Sequence, residues 1–257
     1  MGSEMCIRDS RLSYPDEKLF TFYLDEFETK LFDLPEGVYT CLIENEDCKE
    51  QILTPGMDDE IFSRTKVPMT KNEVRVLSIS RLELTKKAVV YDVGSGTGSV
   101  SAECARLSPD IVVFAIEQKE EAANLTKENA IRLGLSDQIM VINKKAPEGF
   151  EELPTPTHVF IGGSSGALSD ILSAIQKKLI VKENTKGVRV VINAVSLETI
   201  AQITKLIQTY PVKHVQLTQI QASRAHKLGS YNLMQAQNPV LIASFNLLPD
   251  DKMEADE

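Results

Sequence analysis

No run of apolar residues in the 257-residue sequence approaches the length needed to cross a bilayer, so a spanning helix is excluded and a soluble chain is expected. Cysteine is scarce. Cys6, Cys41, Cys48 and Cys104 form no C-x-x-C pair and follow no signal peptide, which excludes a disulfide scaffold and fits reduced thiols in a cytoplasmic chain. The three histidines, His158, His214 and His226, show no ligand spacing, and no metal is expected on the protein itself. Basic residues are in deficit, 28 Lys and Arg against 37 Asp and Glu, for a formal charge of -9. That balance argues against a nucleic-acid partner, which needs a basic face, and leaves room for a local cluster that takes a small anion. The rest is an ordinary globular composition, 42% apolar, long enough for one α/β domain and a remainder.

The most informative stretch is Ala88 to Ser101. Ala88-Val89-Val90-Tyr91-Asp92-Val93 reads as a buried parallel strand, Gly94-Ser95-Gly96-Thr97-Gly98 as a tight loop, and Ser99 as the start of a helix. Alternate glycines let a backbone turn sharply and approach a ligand closely. The loop is not a dinucleotide fingerprint, because Ser99 stands where G-x-G-x-x-G needs its last glycine. Nor is it a P-loop, because no Gly-Lys-Ser/Thr follows. The pattern is D-x-G-x-G-x-G, with Asp92 at the strand tip suited to a ligand that carries an ammonium group and no phosphate. A second acid, Glu117, ends the next strand, Ile111 to Ile116, about twenty residues past the loop, where such folds bind ribose hydroxyls.

The α/β alternation continues through helix Glu120 to Leu133, strand Gln138 to Ile142, strand Thr157 to Ile161, a second glycine-rich turn Gly162 to Gly166, and helix Ala167 to Val181. Strand Val188 to Asn193, helix Ser196 to Thr209, strand Val212 to Gln221 and strand Pro239 to Asn246 complete seven strands. Two glycine turns at strand carboxyl ends share one edge, where open α/β sheets bind ligands. Residues 222 to 238, joining the last two strands, concentrate Arg224, His226 and Lys227, either as a solvated hairpin or as a receiver of substrate carboxylates. Ahead of the glycine loop, a helix is expected over Asn72 to Leu82, with Thr70 or Lys71 near its cap and an apolar stripe of Val74, Leu77, Ile79 and Leu82.

The front is of different character. Met5-Cys6-Ile7-Arg8-Asp9-Ser10 matches a translated sequencing adapter, so residues 1–10 are set aside as a scar. Residues 11 to 54 hold a polar turn (Leu12 to Lys18), a helix over Leu24 to Lys30 and a strand over Gly37 to Asn45. This is too little to bury a core alone. Thr54-Pro55-Gly56 is a linker, 55–248 the main domain, and 249–257 an acidic tail.

The loop D-x-G-x-G-x-G resembles motif I of the class I S-adenosylmethionine-dependent methyltransferases. Four stretches, one of them holding this loop, narrow the likeness: V-P-M-T-K-x-E-V-R, Y-D-V-G-S-G-T-G-S-V-S, F-I-G-G-S-S-G and S-R-A-x-K-L-G-x-Y-x-L-M-x-A-Q-N-P-V, in this order, are similar to the carbon-15 methyltransferases of cobalamin biosynthesis. These form the decarboxylating half of precorrin-6Y C(5,15)-methyltransferase. The L-S-Y-P-D-E turn and L-I-E-N strand end of residues 11–54 resemble the end of the carbon-5 tetrapyrrole methylase sometimes fused ahead of them, so carbon-5 activity is expected to be absent.

The resemblance implies a Rossmann-like, seven-stranded, mostly parallel sheet with helices on both faces. It implies S-adenosyl-L-methionine as cofactor, bound at Thr70, Asp92, Gly94, Ser95, Gly96, Thr97, Gly98, Glu117 and the backbone near Ala146. In place of the acid common in the family just before that alanine, this chain has Lys144-Lys145, and lysine has no acceptor. The substrate implied is a precorrin, metal-free or cobalt-loaded, with Lys71, Arg224 and Lys227 for its carboxylates and Gly163 and Ser164 beside the macrocycle. Relatives form tetramers, so a homo-oligomer is expected. Two rival readings share the residues: an RNA methyltransferase, which the acidic balance disfavours, and a non-catalytic binding module.

Overall fold

The computed structural model describes residues 54–181 and 187–249 and, ahead of them, 5–11, 19–23, 26 and 39–45. The chain divides into two units, Met1–Ile52 and Leu53–Glu257, with the division two residues before the expected linker boundary.

In the first unit β1 (Met5–Arg11) lies between β2 (Leu19–Tyr23) and β3 (Tyr39–Asn45) and is antiparallel to both. The stretch set aside as a scar is therefore the middle strand of a small sheet. Backbone N–H and C=O groups pair regardless of which side chains accompany them. The turn at Leu12 to Lys18, the helix expected over Leu24 to Lys30 (Glu26 aside) and the tail from Asp250 lie outside the described residues.

The second unit is one seven-stranded sheet in the order β6-β5-β4-β7-β8-β12-β9. Its strands are β4 (Val89–Val93), β5 (Val112–Ile116), β6 (Ile139–Ile142), β7 (His158–Ile161), β8 (Val188–Ala194) and β9 (Val212–Ile220), then β12 (Val240–Leu247) after a separate ribbon of β10 (Ser223–Leu228) and β11 (Tyr231–Ala236). β6, β5, β4, β7 and β8 run parallel, and β12 runs antiparallel between β8 and β9. All seven expected strands are present, and residues 222 to 238 are the hairpin.

The helices are α1 (Asn72–Leu82), α2 (Ser99–Ala105), α3 (Glu120–Arg132), α4 (Leu168–Val181) and α5 (Leu197–Thr209). Strand side chains alternate between faces, so β4 feeds two cores. Tyr91 and Val93 join Leu168, Ile171, Leu172, Ile203 and Leu206 of α4 and α5. Val90 joins Val74, Ile79 and Leu82 of α1 with Val100 and Ala102 of α2. A sheet covered on both faces explains the near-continuous apolar strands. Among the described residues no helix is long and apolar enough to cross a membrane.

Two helix starts show how local chemistry sets the frame. Ser196, expected as the first residue of a helix, is its N-cap: Ser196 Oγ accepts from Thr199 N at 3.2 Å ahead of α5. At α1 the N-cap position is Lys71, whose side chain makes no cap bond. Neither Thr70 nor Lys71 supplies the cap: Asp59, thirteen residues away, accepts from Asn72 N at 3.1 Å. The face that α1 buries is also less apolar than its stripe suggests, since Arg75 and Ser78 are wholly buried beside Val74 and Ile79 while Leu77 is only half-buried.

Candidate functional site

The glycine loop leaves the carboxyl end of β4 and is held from three sides. Gly94 N and Ser95 N donate to Ile116 O at the end of β5, at 2.8 and 3.3 Å. Thr126 Oγ1 donates to Gly96 O at 3.0 Å, and Asn129 Nδ2 to Thr97 O at 2.8 Å, both from α3. Glu117 closes the third side: Oε2 accepts from Gly96 N at 3.1 Å and Oε1 from Lys119 N at 2.9 Å. Gly94, Gly96 and Gly98 all have positive φ, and a Cβ on Gly94 would stand 2.6 Å from Gly163 O. Only glycine fits that approach, which seats the second glycine turn against the first.

Two clefts open on this edge of the sheet. The smaller, about 410 Å³, lies between the glycine loop, the end of β5 and the turn after β7, with Glu117, Ala146, Gly163 and Ser164 in its wall. Gln118 Nε2 donates to Ser165 Oγ at 2.7 Å between two of its lining residues. The larger, about 720 Å³, lies between residues 68–71, Asn193 at the end of β8 and the hairpin, with Arg224 and His226 in its wall. Pro68, Gly94 and Gly162 line both. The clefts therefore adjoin at the front of the glycine loop.

The placement of the expected cofactor residues is uneven. Gly94, Gly96, Glu117 and Ala146 line the smaller cleft, whereas Ser95 and Thr70 line the larger. Asp92, Thr97 and Gly98 line neither. Asp92 is turned beneath the loop, where Ser101 Oγ of α2 donates to its Oδ2, and burial pushes its carboxyl up to about 6 against those bonds. One of its oxygens thus ties the end of β4 to α2. Its Oδ1 and Thr97 Oγ1 are buried without a partner among the described residues. Gly98 packs on α3, where a Cβ would stand 2.7 Å from Thr126 Cγ2.

The expected substrate residues need larger corrections. Gly163 and Ser164 belong to the smaller cleft, because the turn after β7 folds over the glycine loop. Lys227 lines neither cleft: Arg224, Ala225 and His226 at the base of the ribbon line the larger one, and Lys227, opposite Asn232, lies nearer the ribbon's tip. Arg224 does line the larger cleft, but its guanidinium is engaged. Nε and Nη2 donate to Glu73 Oε1 and Oε2 at 2.8 and 2.6 Å, and Nη1 donates to Asp59 Oδ2 at 2.8 Å. Lys71 lines the larger cleft with its Nζ 3.9 Å from Asp59 Oδ2.

Behind this wall stands a buried ionic group that sequence reading missed. Arg75, fully buried, donates to Asp59 Oδ1 at 3.1 Å, Glu103 Oε1 at 3.2 Å, Thr70 O at 2.8 Å and Met57 O, and stacks 5.0 Å from the Phe62 ring centroid. Glu103 also accepts from Gly56 N and Met57 N. Burial works to raise the Asp59 carboxyl, but the Arg224 and Arg75 bonds outweigh it and hold it below the usual range. Asn193 could have been found from its place at a strand's carboxyl end, and its Nδ2 donates to Ser78 Oγ at 2.9 Å. Asp59 carried no local signal, and Glu73 and Arg75 stand in the V-P-M-T-K-x-E-V-R stretch, which does not itself say what they pair with.

Comparison with known proteins shows the family. The precorrin methyltransferase domain matches residues 60–246. A protein named a probable cobalt-precorrin-6B C(15)-methyltransferase (decarboxylating), from Pyrobaculum calidifontis, is 38% identical over 191 residues, 74% of this chain and 94% of the relative. The solved structure of a precorrin-6Y C5,15-methyltransferase from Geobacter metallireducens aligns with a TM-score of 0.68 at 30% identity, covering 75% of this chain and 97% of that one. A precorrin 8W decarboxylase from Methanobacterium thermoautotrophicum aligns with a TM-score of 0.67 at 31% identity, covering 74% and 100%.

Proposed function

The chain belongs to the precorrin methyltransferase family, and on that premise we propose that it methylates carbon 15 of precorrin-6B, or its cobalt form, and removes the ring-C acetate carboxyl as carbon dioxide. The observation that carries this reading is the pair of adjoining clefts: a small one built on the glycine loop and a larger one beside it, sharing Pro68, Gly94 and Gly162.

The smaller cleft fits S-adenosyl-L-methionine. Gly96 lets backbone and ligand approach closely, since a Cβ there would already stand 2.9 Å from Pro68 O. Among the described residues the Glu117 carboxylate accepts two backbone bonds, one on each oxygen, and a carboxylate has about four lone-pair sites, so ribose hydroxyls can donate to the rest. Ala146 and its neighbours border the adenine end, and Ser95 and Thr70 face the cofactor from the larger cleft. When bound there, the cofactor supplies an electrophilic methyl on a sulfonium. The protein's work is then to hold a carbon nucleophile in line with that methyl across the shared wall, an effect of position and not of acid–base chemistry. Loss of carbon dioxide draws on the macrocycle as electron sink, and no strong base is required. Lys71, the cation least tightly held on Asp59, is the residue proposed to take a peripheral carboxylate.

Two finer statements belong to the same proposal. Residues 11–54 are part of a carbon-5 methylase domain, in a cytoplasmic chain. The chain also assembles with further copies of itself, supported by the apolar side chains that β9 and the ribbon leave exposed, among them Leu217, Leu228, Tyr231, Leu233 and Met234. A two-stranded ribbon is marginal alone, and a second copy would cover it. Light scattering tests the assembly. The reaction is tested by the mass of the product after incubation with S-adenosylmethionine and precorrin-6B, metal-free and cobalt-loaded in parallel. One methyl gained and one carbon dioxide lost is the expected result; unchanged substrate in both would overturn it.

A further inference from the structure

Arg224 looks like a natural receiver for a substrate carboxylate, being a guanidinium in the wall of an acceptor cleft in an acidic chain. Its geometry says otherwise. Nε and Nη2 form a two-pronged pair with the two oxygens of Glu73, and Nη1 holds Asp59 Oδ2. Three of its nitrogens thus point at carboxylates of the protein itself, at 2.6–2.8 Å. The fork-on-fork arrangement is the strongest form such a pair takes and fixes direction as well as distance.

What the pair joins is equally specific. Glu73 lies in the first turn of α1, and Asp59 caps that helix through Asn72 N while also binding the buried Arg75. Arg75 in turn donates to Thr70 O, which lies in the segment that lines the larger cleft. Arg224 stands at the base of the β10–β11 ribbon, opposite Gln235. The ribbon is not part of the seven-stranded sheet, and its residues are mostly exposed. It continues the β9–β12 pair through Gln237 N, which donates to Ala222 O at 2.9 Å, and among the described residues the side-chain hydrogen bonds that tie it to α1 and its flank are those of Arg224.

We infer that Arg224 is a positioning residue: it clamps the base of the hairpin onto α1 through Glu73 and Asp59, and so sets the width of the cleft that takes the acceptor. The inference rests on the proposed reaction for its kinetic readout and stands apart from it structurally. The two roles for Arg224 give opposite signs in one variant. If Arg224 received the substrate, Glu73 would be its competitor, and Glu73→Gln would free it and lower KM for precorrin-6B. If Arg224 is a clamp, Glu73→Gln loosens the wall.

Glu73 is exposed, so the variant is expected to fold. The clamp predicts a KM for precorrin-6B raised about tenfold with kcat and S-adenosylhomocysteine affinity little changed. It also predicts that Arg224→Lys, which keeps the charge and loses the fork, shows the same defect. A lowered KM in Glu73→Gln, or wild-type KM in Arg224→Lys, would overturn it. Amide hydrogen exchange of residues 223–236 without any substrate gives an independent reading: faster exchange in Glu73→Gln supports the clamp, and unchanged exchange contradicts it. If wild-type protein does not turn over precorrin-6B, the proposed reaction fails, and the exchange comparison alone decides the clamp.

Discussion

The smaller cleft is held by bonds between residues close in the chain, and the larger by bonds between residues far apart. Glu117 to Gly96, Thr126 to Gly96 and Asn129 to Thr97 span 21, 30 and 32 positions. Arg224 reaches 151 positions to Glu73 and 165 to Asp59. The glycine-loop side is thus built within one βαβ stretch and its flanks, by side chains bonded to backbone groups. The hairpin side is joined from the two ends of the domain, by charges. A cradle common to many methyl acceptors can be local and fixed, while the wall that chooses the acceptor is the part with freedom to differ.

The sharpest way to break this division is to remove the ionic hub. Arg75→Met would remove the buried cation that Asp59 and Glu103 share and leave them to the less buried Arg224 and Arg106, and a loss of about 3 kcal/mol is expected in urea unfolding. If the division holds, the folded fraction still binds S-adenosylhomocysteine.

Acid sharpens the comparison next, because it acts on the two sides with opposite sign. Burial raises the Asp92 carboxyl to about 6 in the folded chain, above its unfolded value, so between those values the folded state keeps a proton that the unfolded state has lost. Stability from this group therefore falls as pH rises through that window, by about 2–3 kcal/mol. Asp59 is held low by Arg224 and Arg75 despite its burial, so its contribution is present above the unfolded value and lost as pH falls through the folded one. Asp92→Asn should flatten the decline from about pH 4 to 6 in thermal unfolding while leaving the loss at lower pH. An unchanged decline would place its origin elsewhere.

The mildest expected effect is on the loop itself. Gly96→Ala puts a Cβ 2.9 Å from Pro68 O at a φ of +59°. A strain of about 2 kcal/mol corresponds to S-adenosylhomocysteine binding about thirtyfold weaker by calorimetry. Equal loss of acceptor binding would blur the line between the clefts.

The same contrast decides what could be read from the residues alone. The strands, the helices and the glycine cradle follow from periodicity and turn chemistry, which are local, and Gly94, Gly96, Glu117 and Ala146 fall together as expected. Arg224 and Lys227 were singled out by type, but type does not say which face of a strand a residue takes or what stands opposite. A pairing across 165 positions leaves no mark in either segment. Asp92 shows the converse: it lies in a well-marked motif, yet its side chain turns beneath the loop to Ser101. Arg75 stands among the apolar residues of α1, where periodicity assigns a core position and cannot announce a buried ion.

The most direct test of two adjoining, separately built clefts is a hydrogen-exchange footprint with S-adenosylhomocysteine alone. Protection is predicted over residues 94–98, 117–119 and 144–146, with residues 223–236 unchanged. Protection centred on the hairpin, or none at the glycine loop, would contradict the account.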